Sequence, residues 1–395
     1  MKTLSSLKAR FVVSAGLLLA GAAAVYSAVA FNPAAQPYAY VPPLAISGFD
    51  LSKGDQKVFQ TWFDPNVWRG DLVAYPVDAT GHTDESNRLW YASERLALQD
   101  WNTDRRIITR NGAANVAFRW GELSAAQQAS LGADPATAAK LLDFVRGDRS
   151  NEKELREEAG DGTVTILSGT AAGIFRARAN VLGDIIHGKP IYVGAPPADY
   201  LFDGYPAFKS ANSARAGMIY VGANDGMLHA FYADGDNRGS EAFAYIPGAV
   251  FPKLRALASQ SYGHQFYVDG SPSMGDAFVA GQWRTVLVGG LNKGGQGVYA
   301  IDITDPGSVG TGDMMWEFTD ADDPDLGFTY SQATIAKLRE QHDVITAFNA
   351  NDAELRSLIQ DRDALIFRSE AEVRWLDAAE ARIRHSTEAT RGNAP

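Results

Sequence analysis

The sequence predicts a mainly β protein: a partial β-propeller of four-stranded antiparallel blades, with an N-terminal signal peptide and a C-terminal amphipathic helical tail. Three observations predict it. First, a strand unit occurs twice. Met218–Phe231 reads as an apolar strand, a Gly-rich turn and a second strand; Thr285–Gly290 followed by Gly295–Asp302 repeats it, with the Val-Gly pairs 67 residues apart. Units repeated at that scale are stacked sheets, because each needs neighbours to bury its faces. Second, 38 glycines and an aromatic content of 11% suit many strands joined by tight turns. Third, there is no cysteine, so disulfides and thiolate metal sites are excluded and the core must hold the fold unaided.

In chain order, residues 1–30 read as a signal peptide. Lys2, Lys8 and Arg10 are its positive start, Phe11–Val25 its apolar stretch, and Ala28-Val29-Ala30 its cleavage site, after Ala30. The apolar stretch is short for a spanning helix, which needs about 20 residues, so no membrane span is expected after cleavage. Residues 31–60, with Pro33, Pro37, Pro42 and Pro43, read as an extended lead-in. Residues 61–336 read as the partial propeller. Within them, Leu72, Val73, Tyr75 and Val77 precede turn chemistry at Asp78–Gly81, and Ile107–Thr109 and Val116–Trp120 are short strands. Ser124 opens a capped helix, and Ala136–Val145 carries apolar residues at helical spacing.

The β texture returns at residue 181. Leu182–Gly194 has a counterpart in Phe266–Ala277 and a weaker echo in Gly327–Ile335. Each blade therefore reads as a leading strand, a Val-Gly strand, a partner strand and an outer strand, the last at Ala242–Ile246 and Met315–Phe318. Residues 337–395 form the tail, with Leu338, Ile345, Ile359, Ile366 and Val373 at seven-residue spacing.

A net charge of −11, with no basic run, speaks against nucleic acid as a partner. Gly295–Ala300 has the glycine spacing of a dinucleotide loop, but Val298–Ile303 alternates like a strand where that loop needs a helix. Asp234 and Asp236 begin a segment like a calcium loop, yet Arg238 and Tyr245 stand where ligands are required. Asp320, Asp322 and Asp325 form a denser acidic cluster that lacks the central glycine. These two loops are the weak calcium candidates, and a polar hairpin turn and a solvated loop are the alternatives. His187, His229 and His264 fall in or beside strands and read as satisfied, partly buried histidines. No Gly-x-Ser-x-Gly elbow is present and no catalytic residue is assigned. Trp283 and Trp316 are expected to pack between sheets.

Leu182–Gly194, Tyr220–Phe231 and Phe243–Pro247, with Phe144–Arg149 and Trp316–Asp320, strongly resemble the β-propeller domain of PilY1/PilC-type type IV pilus proteins, over residues 62–336. The resemblance implies a non-enzymatic exported protein at the periplasm, outer membrane or pilus surface. It implies a role in pilus biogenesis, adhesion to host or abiotic surfaces and twitching motility, with minor pilins and the pilus tip as partners. Members often bind calcium in an Asp-rich propeller loop. The chain departs from the pattern in lacking an Asp-x-Ser-x-Ser module and in turning helical after Ala336. Two alternatives stand beside this reading: a periplasmic quinoprotein-like dehydrogenase, which needs repeated Trp-docking motifs and calcium, and a truncated, non-functional propeller fragment.

Overall fold

A computed structural model of the chain describes residues 44–46, 56–64, 69–78, 80–112, 114–158, 164–333, 335–336 and 366–367. The segment read as a signal peptide, most of the lead-in and all but two residues of the tail lie outside the described residues.

The first sheet is an antiparallel meander of β1 (Leu44–Ile46), β2 (Lys57–Asp64), β3 (Arg69–Pro76) and β4 (Trp90–Tyr91). Two of its strands start inside the stretch read as lead-in. After α1 (Ala92–Leu98) come β5 (Ile107–Arg110) and β6 (Asn115–Ala117), then α2 (Ala125–Leu131) and α3 (Pro135–Arg146). Ser124 and Gln127 close a reciprocal capping box on α2, satisfying donors that a helix start leaves orphaned. Asp134 caps α3 by accepting from the Thr137 N–H, with Pro135 in the first turn where no donor is lost. A hairpin of β7 (Leu155–Glu158) and β8 (Val164–Ser168) follows.

The two sequence repeats become two matching sheets. β9 (Ile191–Val193), β10 (Met218–Gly222), β11 (Leu228–Tyr232) and β12 (Glu241–Ile246) run antiparallel in that order, with α4 (Tyr205–Ala211) inserted before β10. β13 (Ser273–Val279), β14 (Gln282–Gly290), β15 (Gly297–Asp302) and β16 (Met314–Thr319) do the same. The likeness extends to an irregularity. The pairing register shifts between Ala230 and Phe231 in one sheet and between Ala300 and Ile301 in the other, the corresponding positions. Gly297–Asp302 is thus a strand, and the loop before it opens no helix.

The sequence missed one extension. β12 also pairs in parallel with β5, Ala244 opposite Ile107, so the second sheet has six strands in the order β6-β5-β12-β11-β10-β9. A pairing across that separation leaves no local pattern. In the tail, Ile366 and Phe367 form β18, pairing antiparallel with β17 (Ile335–Ala336). Ile366 was assigned to a helical apolar row; here it is a strand residue, and a two-residue strand is too short to show a period.

The sheets stack face to face. Because alternate strand residues point to opposite faces, β10 serves two cores. Ile219 and Val221 meet Phe59, Leu72 and Trp90 of the first sheet, while Met218 and Tyr220 join Leu287, Tyr299 and Ile301 of the third. All five β10 residues are buried, each large apolar side chain contributing about 1.5–3 kcal/mol. The outer face of the third sheet carries a smaller cluster of Ala277, Val286, Val288 and Ala300, with Ala333 and Ile335 against it. The three echo segments therefore occupy successive equivalent places: Leu182 and Ile185 in the first interface, Tyr267 and Val268 in the second, Ala333 and Ile335 on the third face.

That stacking explains the glycines. A Cβ on Gly222 would lie 2.4 Å from the carbonyl oxygen of Val268, in the leading segment of the next sheet; one on Gly270 would lie 2.1 Å from that of Gly290, where the third sheet's own leading segment passes the end of β14. The Val-Gly strand ends where the leading segment of the next sheet crosses it backbone to backbone. No helix among the described residues is long and apolar enough to cross a membrane.

Candidate functional site

The leading strands of successive sheets come to one place. β1 contributes Ala45 and Ile46, β9 Ile191 and Tyr192, β13 Ser273 and Met274, and the stretch before β17 Gln332 and Ala333 to the wall of an open groove of about 630 Å³. That volume is in the range of small-molecule and peptide sites. Every residue that walls it is uncharged.

Polar clamps join the segments beside the groove. His187 Nδ1 lies 2.7 Å from Asp269 Oδ2, and the Ser271 hydroxyl accepts from the Lys189 N–H at 3.0 Å. Asn292 donates to the Asp269 carbonyl at 2.9 Å, fixing the same segment from the third sheet. Burial raises the Asp269 carboxyl above its usual range, with the His187 charge and hydrogen bonds opposing. In the preceding interface Asp184 accepts from Asn224 Nδ2 at 2.8 Å and sits 2.8 Å from His264 Nε2, while the Asn224 side-chain oxygen accepts from the Tyr267 N–H at 2.9 Å. Phe266 lies between the two imidazoles, its centroid 5.4 Å from that of His187 and 4.8 Å from that of His264.

Deeper in, four charges form a closed relay. Arg105 grips Glu241 through two bonds of 2.8 Å, Glu241 meets His229 Nδ1 at 2.7 Å, and His229 Nε2 reaches Asp225 at 3.1 Å. Asp225 also accepts from the Gly183 N–H at 2.9 Å, which ties the relay to the first interface. Burial disfavours each charge, yet the partners prevail. Asp225 and Glu241 lift His229 to about 9; Arg105 and His229 hold Glu241 down to about 2. The side chains of His229 and Glu241 have no exposed surface, while that of Asp225 keeps 14%, so the relay bolts the interior together.

The acidic candidates do not come together. Asp234 lies in the β11–β12 turn with its carboxylate 2.5 Å from Lys57 Nζ, and Asp236 is exposed in the same turn. Asp320, Asp322 and Asp325 are exposed in the loop after β16. There Asp322 accepts from the Thr319 N–H at 2.9 Å and hydroxyl at 3.2 Å, so its carboxylate already serves the turn. Among the described residues, no three His, Asp or Glu side chains converge on a point that would hold a metal ion.

The histidines are satisfied, but the sequence reading missed their partners. Asp269 is 82 residues from His187 and Asp184 is 80 from His264, separations that only sheet stacking closes. Asp225, four residues before His229, was the one partner visible at short range. Trp283 was also placed elsewhere than expected. It stacks on Tyr200 and Phe202 of the insert before α4, at centroid distances of 5.9 and 6.2 Å, while the neighbouring Leu201 is 96% exposed. Tyr205 of that insert donates to Asp276 at 2.6 Å, fastening the insert to β13.

Repeated antiparallel sheets, stacked face to face with their leading strands around one groove, define a propeller-type architecture. Residues 182–367 match the PilY1 beta-propeller domain family. That stretch is what the chain has in common with the PilY1-type proteins. It is 38% identical over 302 residues to the type IV pilus biogenesis factor PilY1 of Pseudomonas aeruginosa strain PAK, covering 71% of this chain and 24% of that protein. A PilY1 homolog of Xylella fastidiosa is 37% identical over 288 residues, covering 71% of this chain and 21% of the homolog. The crystal structure of the P. aeruginosa PilY1 C-terminal domain is 42% identical, covering 37% of this chain and 29% of that one, with a TM-score of 0.31. The chain spans about a quarter of the length of the curated relatives it matches.

Proposed function

We propose that this chain is a non-enzymatic, exported component of type IV pilus biogenesis whose stacked sheets serve as a binding scaffold in adhesion and twitching motility, with minor pilins at the pilus tip as its partners. The observation that carries this reading is the match to relatives named as type IV pilus biogenesis factors. The architecture supports a binding role. His229 and Glu241 are locked in a buried ion network, while its open concavity is uncharged. Export is supported by the order of charge, apolar stretch and small residues at positions 2–30.

The test is a chimera. The matching stretch of PilY1 in P. aeruginosa strain PAK is replaced by residues 62–333 of this chain, and surface pili and twitching zones are measured. The expected result is piliation well above that of a strain lacking PilY1. Piliation no better than that strain, with the chimera present at normal abundance, would refute the reading.

A further inference from the structure

We propose that the insert between β9 and β10 builds an aromatic platform that binds a neutral saccharide. This deepens the adhesion part of the reading above and rests on it for its purpose, though not for its chemistry. The insert is not needed to close the sheet. In the third sheet the corresponding connection, from β13 to β14, is a tight turn at Ala280 and Gly281, both with positive φ. In the second sheet it is residues 194–217. Those extra residues carry their own fastenings. The Tyr205 hydroxyl donates to Asp276 at 2.6 Å, and Trp283 Nε1 donates to the Asp203 carbonyl at 3.0 Å. Lys209 Nζ donates to the Ala198 carbonyl at 2.8 Å and meets Asp199 at 2.6 Å. A loop held this firmly on a rigid scaffold, with no part in the sheet plan, is a place for binding. Its rigidity also removes the ordering cost that binding otherwise carries.

The platform is centred on Trp283. Four rings surround it, Tyr200 at 5.9 Å, Phe202 at 6.2 Å, Tyr205 at 4.8 Å and Phe278 at 5.7 Å between centroids. Among the described residues, Tyr200, Leu201 and Phe278 are three of the seven exposed large hydrophobic side chains, at 40%, 96% and 47%. The surface thus concentrates apolar area here. With aromatic side chains covering about 150–250 Å² each and leucine somewhat less, these fractions amount to roughly 350 Å². A stable protein interface takes about 800 Å² from each partner, so the area suits a small ligand. A lipid surface is disfavoured. Asp199 and Asp203, both exposed, stand two residues either side of Leu201, and the chain carries −11. Insertion would desolvate those carboxylates and bring like charge to anionic headgroups. A sugar ring fits both features. Its C–H face lies on the electron-rich face of an aromatic ring, and its hydroxyls donate to the carboxylates beside the rings. Lys209 offsets Asp199 alone, so the acidic rim repels uronic and sialic acids and the class is neutral.

Isothermal titration of the full chain with hexasaccharides of glucose, mannose, galactose and N-acetylglucosamine tests this. Oligogalacturonate is the anionic probe and phosphatidylcholine vesicles are the lipid probe. The expected result is millimolar or tighter binding of at least one neutral hexasaccharide, weakened about fivefold or more by Tyr200→Ala and by Phe278→Ala. Leu98→Ala, at a 77%-exposed side chain outside the insert, should leave it unchanged. Each variant's melt is checked against the parent, and if Tyr200→Ala lowers it, Phe278→Ala decides by the same criterion. No binding of any neutral hexasaccharide up to about 20 mM overturns the proposal, as does binding that survives both aromatic substitutions. Oligogalacturonate bound as tightly as the neutral sugars overturns it by removing the neutral class. Vesicle binding that is lost in Leu201→Asp overturns it by making lipid the ligand. The titration involves no pilus, so it can fail while the chimera restores piliation, and succeed while the chimera does not.

Discussion

Glu241→Ala is expected to destabilise the protein by about 3–5 kcal/mol, because it leaves the Arg105 guanidinium and the His229 imidazolium buried without the carboxylate that serves both. Glu241 has no exposed side-chain surface, so water cannot take its place. The same variant changes the pH profile. His229 titrates near 9 when folded against 6.5 for a free imidazole. Its contribution is therefore full below about pH 6.5 and is lost as pH rises through 9. Glu241 titrates near 2 against 4.5, so its contribution is present above about pH 4.5 and is lost as pH falls through 2. The relay is thus strongest between about pH 4.5 and 6.5. Asp71 works the other way: burial lifts it to about 6 against hydrogen bonds from Ser93, which favours the folded state in acid. In Glu241→Ala the loss in acid is expected to shrink, and the alkaline loss to begin at lower pH. Urea unfolding at a series of pH values measures both. A loss below 1 kcal/mol with an unchanged profile would show that the relay does not hold the fold.

Gly270→Ala is expected to cost about 3 kcal/mol or more, beyond the 1–3 kcal/mol usual for overpacking, because the new methyl meets a backbone carbonyl. Its Cβ would stand 2.1 Å from the Gly290 oxygen. Neither the leading segment nor the Val-Gly strand can yield without breaking the His187–Asp269 clamp or the β14–β15 ladder. Gly222→Ala, with a Cβ 2.4 Å from the Val268 oxygen, should behave alike where the second and third sheets meet. Gly263→Ala, which would meet nothing within 4 Å, is the control and should be nearly neutral. Thermal melts of the three variants decide. Equal melts would mean that the sheets do not pack as closely as the glycines imply.

The parts of the fold legible in the sequence are those written in short-range pattern. β10 to β12 and β14 to β16 stand out as short apolar runs bounded by glycine turns, with a Val-Gly pair in each repeat, so the two repeats were read strand by strand. The α2 cap was legible because Ser124 and Gln127 stand three residues apart. The first sheet was only half legible: β3 alternates visibly, but β1 is three residues long directly after Pro42-Pro43, and β2 starts within the stretch read as lead-in. The parallel pairing of β5 with β12 was illegible, since nothing near Ile107 records Ala244. The groove and the His–Asp clamps were illegible for the same reason. Each residue in them is ordinary alone, and only the stacking of one sheet on the next gives His187 its Asp269 or brings β1, β9 and β13 together.

The account's central claim is that these sheets form one packed scaffold. Residues 31–395, expressed without the segment read as a signal peptide, test it most directly through thermal unfolding followed by far- and near-ultraviolet circular dichroism. The account predicts a single cooperative transition, β-type in the far ultraviolet and coincident in the near ultraviolet, where the buried Tyr220, Tyr245 and Tyr299 report packing. A broad, non-cooperative loss of signal, or a near-ultraviolet transition well ahead of the far-ultraviolet one, would contradict it.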